Sequence, residues 1–237
     1  MSAFIFPLAV KRNTVWKEIP IAFLAVIVVS LLANDAIIDG SSFSGLTKID
    51  GFVLIAFFSI FLYYTFDISR EKVDTKTEES NQLYSIHRSL LMIGIGLIGL
   101  TLGGKWIVDG AVSIATGLGI SETLIGLTIV AIGTSLPELA TSVVAARKKN
   151  TDIAVGNIVG SNIFNIFLIL GISSIINPLM FSPALMRDML IMVASTMLLF
   201  IFMFVGKKNV LERWQGAIFI ILYIVYIVFV ILQEIAK

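Results

Sequence analysis

Seven long apolar stretches constrain the fold of this chain more than any other feature of its sequence. They have 15 to 24 residues each, and a helix needs about 20 predominantly apolar residues to cross the hydrocarbon core of a bilayer. The stretches are Ile19–Ala33, Gly51–Phe66, Ser89–Val108, Thr123–Ala146, Ile153–Ile176, Ala184–Val205 and Trp214–Leu232. Apolar residues make up 57% of the 237-residue chain and charged residues 14%, whereas soluble proteins have roughly 45–50% and 25%. We therefore predict an all-α integral membrane protein with about seven transmembrane helices.

The charge and cysteine content exclude several classes of function. With 17 basic and 16 acidic residues, the chain lacks the excess of basic residues that nucleic-acid-binding proteins need, so we expect no nucleic-acid partner. It has no cysteine, which excludes a disulfide scaffold and a cysteine-based metal site. The sequence shows neither a nucleophile–base pair nor a nucleotide-binding loop, so we predict that the protein is not an enzyme and has no cofactor.

Basic residues are distributed unevenly between the two sides of the predicted membrane. If the N-terminus is cytoplasmic, 13 Lys and Arg residues fall in cytoplasmic segments and 3 in external ones. The cytoplasmic set is Lys11, Arg12, Lys17, Arg70, Lys72, Lys76, Arg88, Arg147, Lys148, Lys149, Lys207, Lys208 and Arg213, and the external set is Lys48, Arg187 and Lys237. Because cytoplasmic loops are enriched in Lys and Arg, we predict a multi-pass protein of the cell membrane with its N-terminus in the cytoplasm and its C-terminus outside.

A weak internal repeat relates the two ends of the chain. Three pairs of segments correspond: Met1–Leu8 with Ile172–Leu179, Trp16–Ile19 with Met186–Met189, and Ile49–Gly51 with Trp214–Gly216. The matching spans enter the membrane from opposite sides, and inverted repeats of this kind are typical of secondary transporters. We predict that residues 1–66 are the tail of a first repeat with two transmembrane helices. Residues 67–88 are then a polar cytoplasmic linker, and residues 89–237 a complete second repeat with five transmembrane helices.

Polar residues inside the fourth span predict a cation site. A carboxylate within a span is costly and has a functional role by default, and Glu138 is such a carboxylate. Thr134, Glu138 and Thr141 lie on one helix face at i, i+4 and i+7. Pro137 removes a backbone hydrogen bond and opens the preceding turn, so we predict a broken helix with free oxygen atoms. Hard cations such as sodium and calcium prefer oxygen ligands.

The fifth span adds a stripe of further oxygen atoms. Asn157, Ser161 and Asn165 recur at four-residue steps, which places their side chains on one face of a helix. Gly156 and Gly160 form a pair of small residues that permits close helix approach. We expect this approach to bring the stripe against the helix that contains Glu138.

The motifs of the fourth and fifth spans closely resemble the second α-repeat of sodium/calcium exchangers, in the cation/calcium exchanger superfamily. They read Gly133-Thr134-Ser135-Leu136-Pro137-Glu138 and Gly156-Asn157-x-x-Gly160-Ser161-Asn162-Ile163. The resemblance implies a ten-helix fold of two inverted five-helix repeats, in which sodium entry drives calcium extrusion by alternating access. It also implies that Glu138 is a carboxylate shared by sodium and calcium. The further ion ligands that it implies are Thr134, Ser135, Ser161, Asn165 and the backbone carbonyl of Ala131.

The resemblance also implies which partners the chain has. The first α-repeat of the family, with its own Glu and Ser/Thr ligands, is missing, so we expect this chain to hold half of an ion site. The expected partners are sodium and calcium ions, the lipid bilayer, and either a complementary N-terminal half or a homo-oligomer. Two alternatives stay open: a proton-coupled calcium antiporter in which Glu138 is protonated in place of sodium binding, and a transport-dead membrane fragment that acts only by assembly with other subunits.

Overall fold

The computed structural model describes residues 1–38, 40, 44–70, 85–120, 122–181 and 183–235. Among these residues, six helices are long and apolar enough to cross a membrane, and one bent helix pair raises the number to seven if it is counted as one span. The prediction of an all-α membrane protein with about seven transmembrane helices is therefore confirmed.

The helices follow the predicted spans, with short elements between them. In chain order they are α1 (Ser2–Ile5), α2 (Ile19–Leu32), α3 (Asp35–Ile38), α4 (Lys48–Arg70), α5 (Ile86–Gly117), α6 (Glu122–Ile125), α7 (Ala131–Thr134), α8 (Leu136–Arg147), α9 (Thr151–Phe164), α10 (Gly171–Ile176), α11 (Pro183–Phe202) and α12 (Arg213–Ile235). The π-helical segments Thr14–Glu18, Gly126–Val130 and Asn165–Leu170 continue into α2, α7 and α10. The strands have two residues each: β1 (Leu8–Ala9), β2 (Gly45–Leu46), β3 (Leu179–Met180) and β4 (Val210–Leu211).

The structure corrects the ends of several predicted spans. α5 runs to Gly117, well beyond the predicted end at Val108, and α11 ends at Phe202 rather than at Val205. α4 continues to Arg70, and α5 begins at Ile86, so both helices extend into the predicted linker 67–88, of which residues 71–84 lie outside the described residues. A helix continues through polar side chains because its backbone hydrogen bonds are internal and do not depend on apolar surroundings.

Side chains at the first turns fix where two long helices begin. The backbone N–H of Thr47 donates to Asp50 Oδ2 at 2.7 Å, and the N–H of Asp50 donates to Thr47 Oγ1 at 3.4 Å. This reciprocal pair is a capping box, which satisfies N–H groups that have no partner within the helix. Before α12, the N–H of Glu212 donates to Gln215 Oε1 at 2.7 Å. Asp50 and Gln215 occupy matching positions of the sequence repeat and make the same kind of bond.

Two antiparallel ribbons join the N-terminal part of the chain to its C-terminal part. β1 pairs with β4, and β2 pairs with β3. β1 and β3 lie at the ends of the matched segments 1–8 and 172–179, whereas β2 and β4 lie just before the matched helices α4 and α12. Each ribbon therefore joins the end of one matched segment to the strand that precedes the matched helix from the other part of the chain.

The apolar core lies between α2, α4, α9 and the π-helical segment that follows α9. Its large buried side chains include Val29 of α2, Leu54 of α4, Ile163 of α9 and Phe167. α5 differs sharply, because Ala115 is its one buried residue and every residue of α5 is described. The core thus holds α9 firmly in place, while α5 packs loosely against α6, α7 and α8.

Candidate ion-binding site

The fourth span is broken next to Pro137. The axis bends by 50° between Thr128–Thr134 and Leu136–Arg147, and Ser135 at the bend has φ −94° and ψ 0°. Pro137 lies in the first turn of α8, where the missing N–H of proline costs little. The prediction of a broken helix at this position is confirmed.

A cavity of about 510 Å³ lies beside the break. α8 contributes Glu138 and Thr141 to it, and α9 with the following residue contributes Asn157, Ser161 and Asn165. The remaining lining residues are Leu97, Leu100, Thr101, Pro137, Gly156, Gly160 and Phe164. The structure therefore brings the predicted carboxylate and the predicted polar stripe to one cavity.

The Glu138 carboxylate is the group in this cavity that most needs a partner. Its Oε2 atom is buried and has no hydrogen-bond partner among the described residues. A buried charge without compensation is strongly unfavourable, so such groups are normally paired or coordinate metal ions. The described residues contain no group of three or more acidic or histidine side chains that could hold a metal ion. The described lining residues of this cavity therefore offer one carboxylate together with neutral oxygen atoms.

Asn157 connects the two helices that form the site. Its Nδ2 atom donates to the backbone oxygen of Glu138 at 3.0 Å and to Ser142 Oγ at 2.9 Å. Because both bonds use the donor atom, the Oδ1 atom of Asn157 stays available as an acceptor. One amide thus fixes the distance between α8 and α9 and also offers an oxygen to the site.

Two of the predicted hydroxyl ligands donate to their own helix backbone. Ser161 Oγ donates to the Ile158 oxygen at 3.1 Å, and Thr134 Oγ1 donates to the Ala131 oxygen at 3.0 Å. A hydroxyl has one donor and two lone pairs, so a hydroxyl that donates to the backbone keeps lone pairs with which to coordinate a cation.

Three predicted ligands lie outside this cavity. Ala131, Thr134 and Ser135 are exposed and are not among its lining residues. The periodicity that placed Thr134 on one face with Glu138 and Thr141 assumes a continuous helix, and the 50° bend separates Thr134 from them. The roles of these three residues as ligands stay predictions.

The expected role of Gly156 and Gly160 is wrong. A Cβ atom at either position would meet nothing within 4 Å, so these glycines do not make the close contact between α8 and α9. They line the cavity instead, where the absence of a side chain leaves room beside Glu138. The contact between the helices is made by Asn157 and by the buried alanines Ala145, Ala146 and Ala154.

Sequence reasoning missed the contribution of α5. Thr101 lines the cavity, and its Oγ1 atom donates to the Leu97 oxygen at 2.8 Å. α5 reaches the cavity because it packs across the break: a Cβ at Gly104 would lie 3.9 Å from Pro137 Cγ, and one at Gly133 would collide with Val108. Nothing in the local sequence pattern singled out Thr101 as a residue of the cavity.

Comparisons with known proteins identify related chains. The family model described as sodium/calcium exchanger protein matches residues 88–232. An uncharacterised membrane protein of Methanocaldococcus jannaschii is 37% identical over 227 residues, which cover 96% of this chain and 69% of the relative. The sodium/calcium exchanger MaX1 of Methanosarcina acetivorans is 42% identical over 142 residues, which cover 60% of this chain and 40% of the relative. The solved structure of the sodium/calcium exchanger from Methanococcus jannaschii superposes with a TM-score of 0.75 at 36% identity, and the match covers 96% of this chain and 68% of that chain.

Proposed function

Because the chain belongs to the sodium/calcium exchanger protein family, we propose that it exchanges sodium for calcium across the membrane by secondary active transport. The observation that carries this proposal is the buried, unpartnered Oε2 atom of Glu138 in a cavity lined by neutral oxygen atoms. Carboxylate, amide and hydroxyl oxygens are the ligands that hard cations prefer.

The proposed mechanism is competition for a single carboxylate. Sodium and calcium share Glu138, so the site holds one kind of ion or the other. A bare carboxylate within the membrane is costly, whereas a carboxylate that holds a cation is neutralised. Closure of the site is therefore favourable only when an ion is bound, which couples the movement of one ion to that of the other.

We propose that α5 is the element that changes the access to the cavity. It supplies the wall formed by Leu97, Leu100 and Thr101, and it has one buried residue, Ala115, along its described length. α9, on the opposite side of the cavity, is anchored in the apolar core through Val159 and Ile163. The resemblance to sodium/calcium exchangers implies that this helix slides during alternating access, and a loosely packed wall facing a firmly packed one is suited to that movement.

The ligand set that we propose comprises Glu138, Ser161 and Asn165 at the cavity, together with Thr134, Ser135 and the Ala131 carbonyl near the break. The last three are proposed from the family resemblance alone.

We also propose that the N-terminus is cytoplasmic and the C-terminus external, and that residues 67–88 link two inverted repeats. A complementary N-terminal half or a second copy then supplies the opposite half of the site.

Replacing Glu138 with Gln tests the proposed function directly. The experiment uses proteoliposomes in which the chain is reconstituted with a complementary three-helix N-terminal piece, and it measures radioactive calcium uptake driven by a sodium gradient. Calcium affinity depends on the number of charged ligands. We therefore expect Glu138→Gln to weaken calcium binding, and with it the measured calcium uptake, by roughly 100-fold or more. Wild-type uptake in this variant would contradict the proposal.

Asp109→Asn is the matched control for this experiment. Asp109 is another carboxylate of a long apolar helix, but it is exposed on α5 and does not line the cavity, so we expect near-normal uptake. A third arm replaces the sodium gradient with a proton gradient. Uptake that follows protons and ignores sodium would favour the proton-coupled alternative over sodium exchange.

A further inference from the structure

A groove with a volume of about 900 Å³ lies where α8 turns into α9. Its apolar wall includes Leu100 of α5 and Val144 of α8. Its polar rim is formed by the turn between the helices and the first residues of α9, which are Lys148, Lys149, Asn150, Thr151 and Asp152. We propose that this groove binds an anionic phospholipid, with the phosphate at the two lysines and the acyl chains along the apolar wall.

The charge of the rim is positive. Asp152 is the one acidic residue among the described lining residues, and its Oδ2 atom lies 2.6 Å from Lys11 Nζ. An exposed ion pair of this kind adds little to stability, but it neutralises the carboxylate. The two remaining charges on the rim, Lys148 and Lys149, are exposed and belong to lining residues.

The surface around the groove is also basic. The N–H of Val10 donates to the oxygen of Asn209 at 2.8 Å, so the β1–β4 ribbon places Lys11 beside the turn before β4. Exposed basic residues at this end of the molecule include Lys11, Arg12, Arg147, Lys148, Lys149, Lys207, Lys208 and Arg213. Clusters of about four to eight basic residues next to a transmembrane helix attract anionic lipids, and basic pockets between helices bind their headgroups.

Two tryptophans indicate that this end of the molecule lies at the level of the lipid headgroups. Trp16 and Trp214 are 54% and 45% exposed, and each packs edge-on against phenylalanines near the end of α11. Tryptophan is enriched at the membrane–water interface. A groove with an apolar wall and a basic rim at this depth matches a phospholipid better than it matches a soluble partner.

The groove adjoins the ion cavity, because Leu100 and Thr141 line both. A lipid in the groove would therefore contact the same turn of α5 that forms the cavity wall. The lipid site does not depend on the proposed exchange activity, since binding is measured without transport.

Lipid binding to the purified full chain in a neutral detergent tests this proposal. Short-chain phosphatidylglycerol is titrated onto the chain and the bound lipid is counted by native mass spectrometry, with phosphatidylcholine of the same chain length and glycerol phosphate as comparison ligands. We expect phosphatidylglycerol to bind more tightly than either. Each basic residue near the surface contributes roughly fivefold to the binding of anionic lipid, so Lys148→Gln with Lys149→Gln should weaken it roughly 25-fold.

Lys207→Gln with Lys208→Gln is the matched control, because it removes the same charge from the same end of the molecule without touching the groove lining. We expect a smaller loss of phosphatidylglycerol binding than for the Lys148 and Lys149 changes, because Lys207 and Lys208 add only to the general attraction of the surface and do not line the groove. Lys148→Arg with Lys149→Arg should retain binding, which separates loss of charge from loss of fold. Three outcomes would overturn the proposal. The two glutamine variants could lose phosphatidylglycerol binding equally, or glycerol phosphate could bind as tightly as phosphatidylglycerol. The third is a dimer that forms without lipid and that the Lys148 and Lys149 changes dissociate.

Discussion

Asn157 shows how one side chain can organise the site without being its charged group. Its amide bridges the Glu138 backbone oxygen on α8 and the buried Ser142 hydroxyl, so it sets the position of the carboxylate relative to α9. The arrangement of oxygen atoms in the cavity is therefore fixed by a neutral residue, and the cost of disturbing that residue is measurable as stability.

Replacing Asn157 with Ala should destabilise the protein by about 1–3 kcal/mol, because two partly buried hydrogen bonds are lost and their acceptors are left behind. Ser142→Ala removes only one of the two bonds and should cost less. Unfolding in a detergent–denaturant series, followed by circular dichroism, measures both. Equal stability of wild type and Asn157→Ala would show that this bridge contributes nothing to the packing of α8 on α9.

The sequence predicted the residues of the cavity better on one side of the break than on the other. Glu138, Ser161 and Asn165 lie on continuous helix or directly after it, so their spacing alone puts them on the right faces. Thr134 and Ser135 lie at or before the bend, where the direction of the next turn depends on how α5 packs against it. That packing involves residues far apart in the sequence, and no local pattern reveals it.

At the scale of elements, individual glycines show which helix contacts are close and which positions are open. A Cβ at Gly51 of α4 would lie 2.5 Å from Ser174 Oγ and 2.7 Å from the Gly171 backbone oxygen. A Cβ at Gly94 of α5 would meet nothing within 4 Å. The first glycine is therefore required by a close helix contact, and the second is not.

Gly51→Ala should destabilise the protein by roughly 1–3 kcal/mol, the usual cost of overpacking a well-packed contact. Gly94→Ala is the control, and it should be neutral or stabilising by up to about 1 kcal/mol, because alanine favours the helix over glycine. Thermal unfolding of the purified variants provides the comparison. A Gly51→Ala protein as stable as Gly94→Ala would contradict the close contact between α4 and α10.

The length of α5 was underestimated for a physical reason. Asp109 interrupts the apolar pattern directly after Val108, where the predicted span ends, but the helix continues to Gly117. Apolar periodicity reports which residues face lipid or core, whereas helix length is set by backbone hydrogen bonds and by where a terminating residue occurs. Here the terminating residue is Gly119, which has φ +75°, a conformation that glycine adopts without strain.

At the scale of the whole molecule, the orientation in the membrane is open to a direct test. Lys148 and Met180 are exposed, Met180 at 77%, and α9 and α10 separate them. Since the chain has no cysteine, a single Cys at either position has no competing thiol. We expect Met180→Cys to react with an impermeant maleimide on intact cells and Lys148→Cys to react only after permeabilisation. The reverse pattern would contradict the predicted cytoplasmic N-terminus.

The single charge of the cavity limits what the chain can transport by itself. Among the described lining residues, Glu138 is the one carboxylate, whereas tight calcium sites use several charged ligands to offset dehydration of the ion. We therefore expect the chain alone, uniformly oriented in liposomes, to show little or no sodium-driven calcium uptake. Co-reconstitution with a complementary three-helix N-terminal piece should raise uptake by roughly tenfold or more, and Glu138→Gln in that pair should abolish the gain. A second copy could supply a further carboxylate only if it were inserted upside down, which the distribution of 13 against 3 basic residues disfavours. Robust exchange by the isolated chain would contradict this reasoning and would mean that one carboxylate is sufficient.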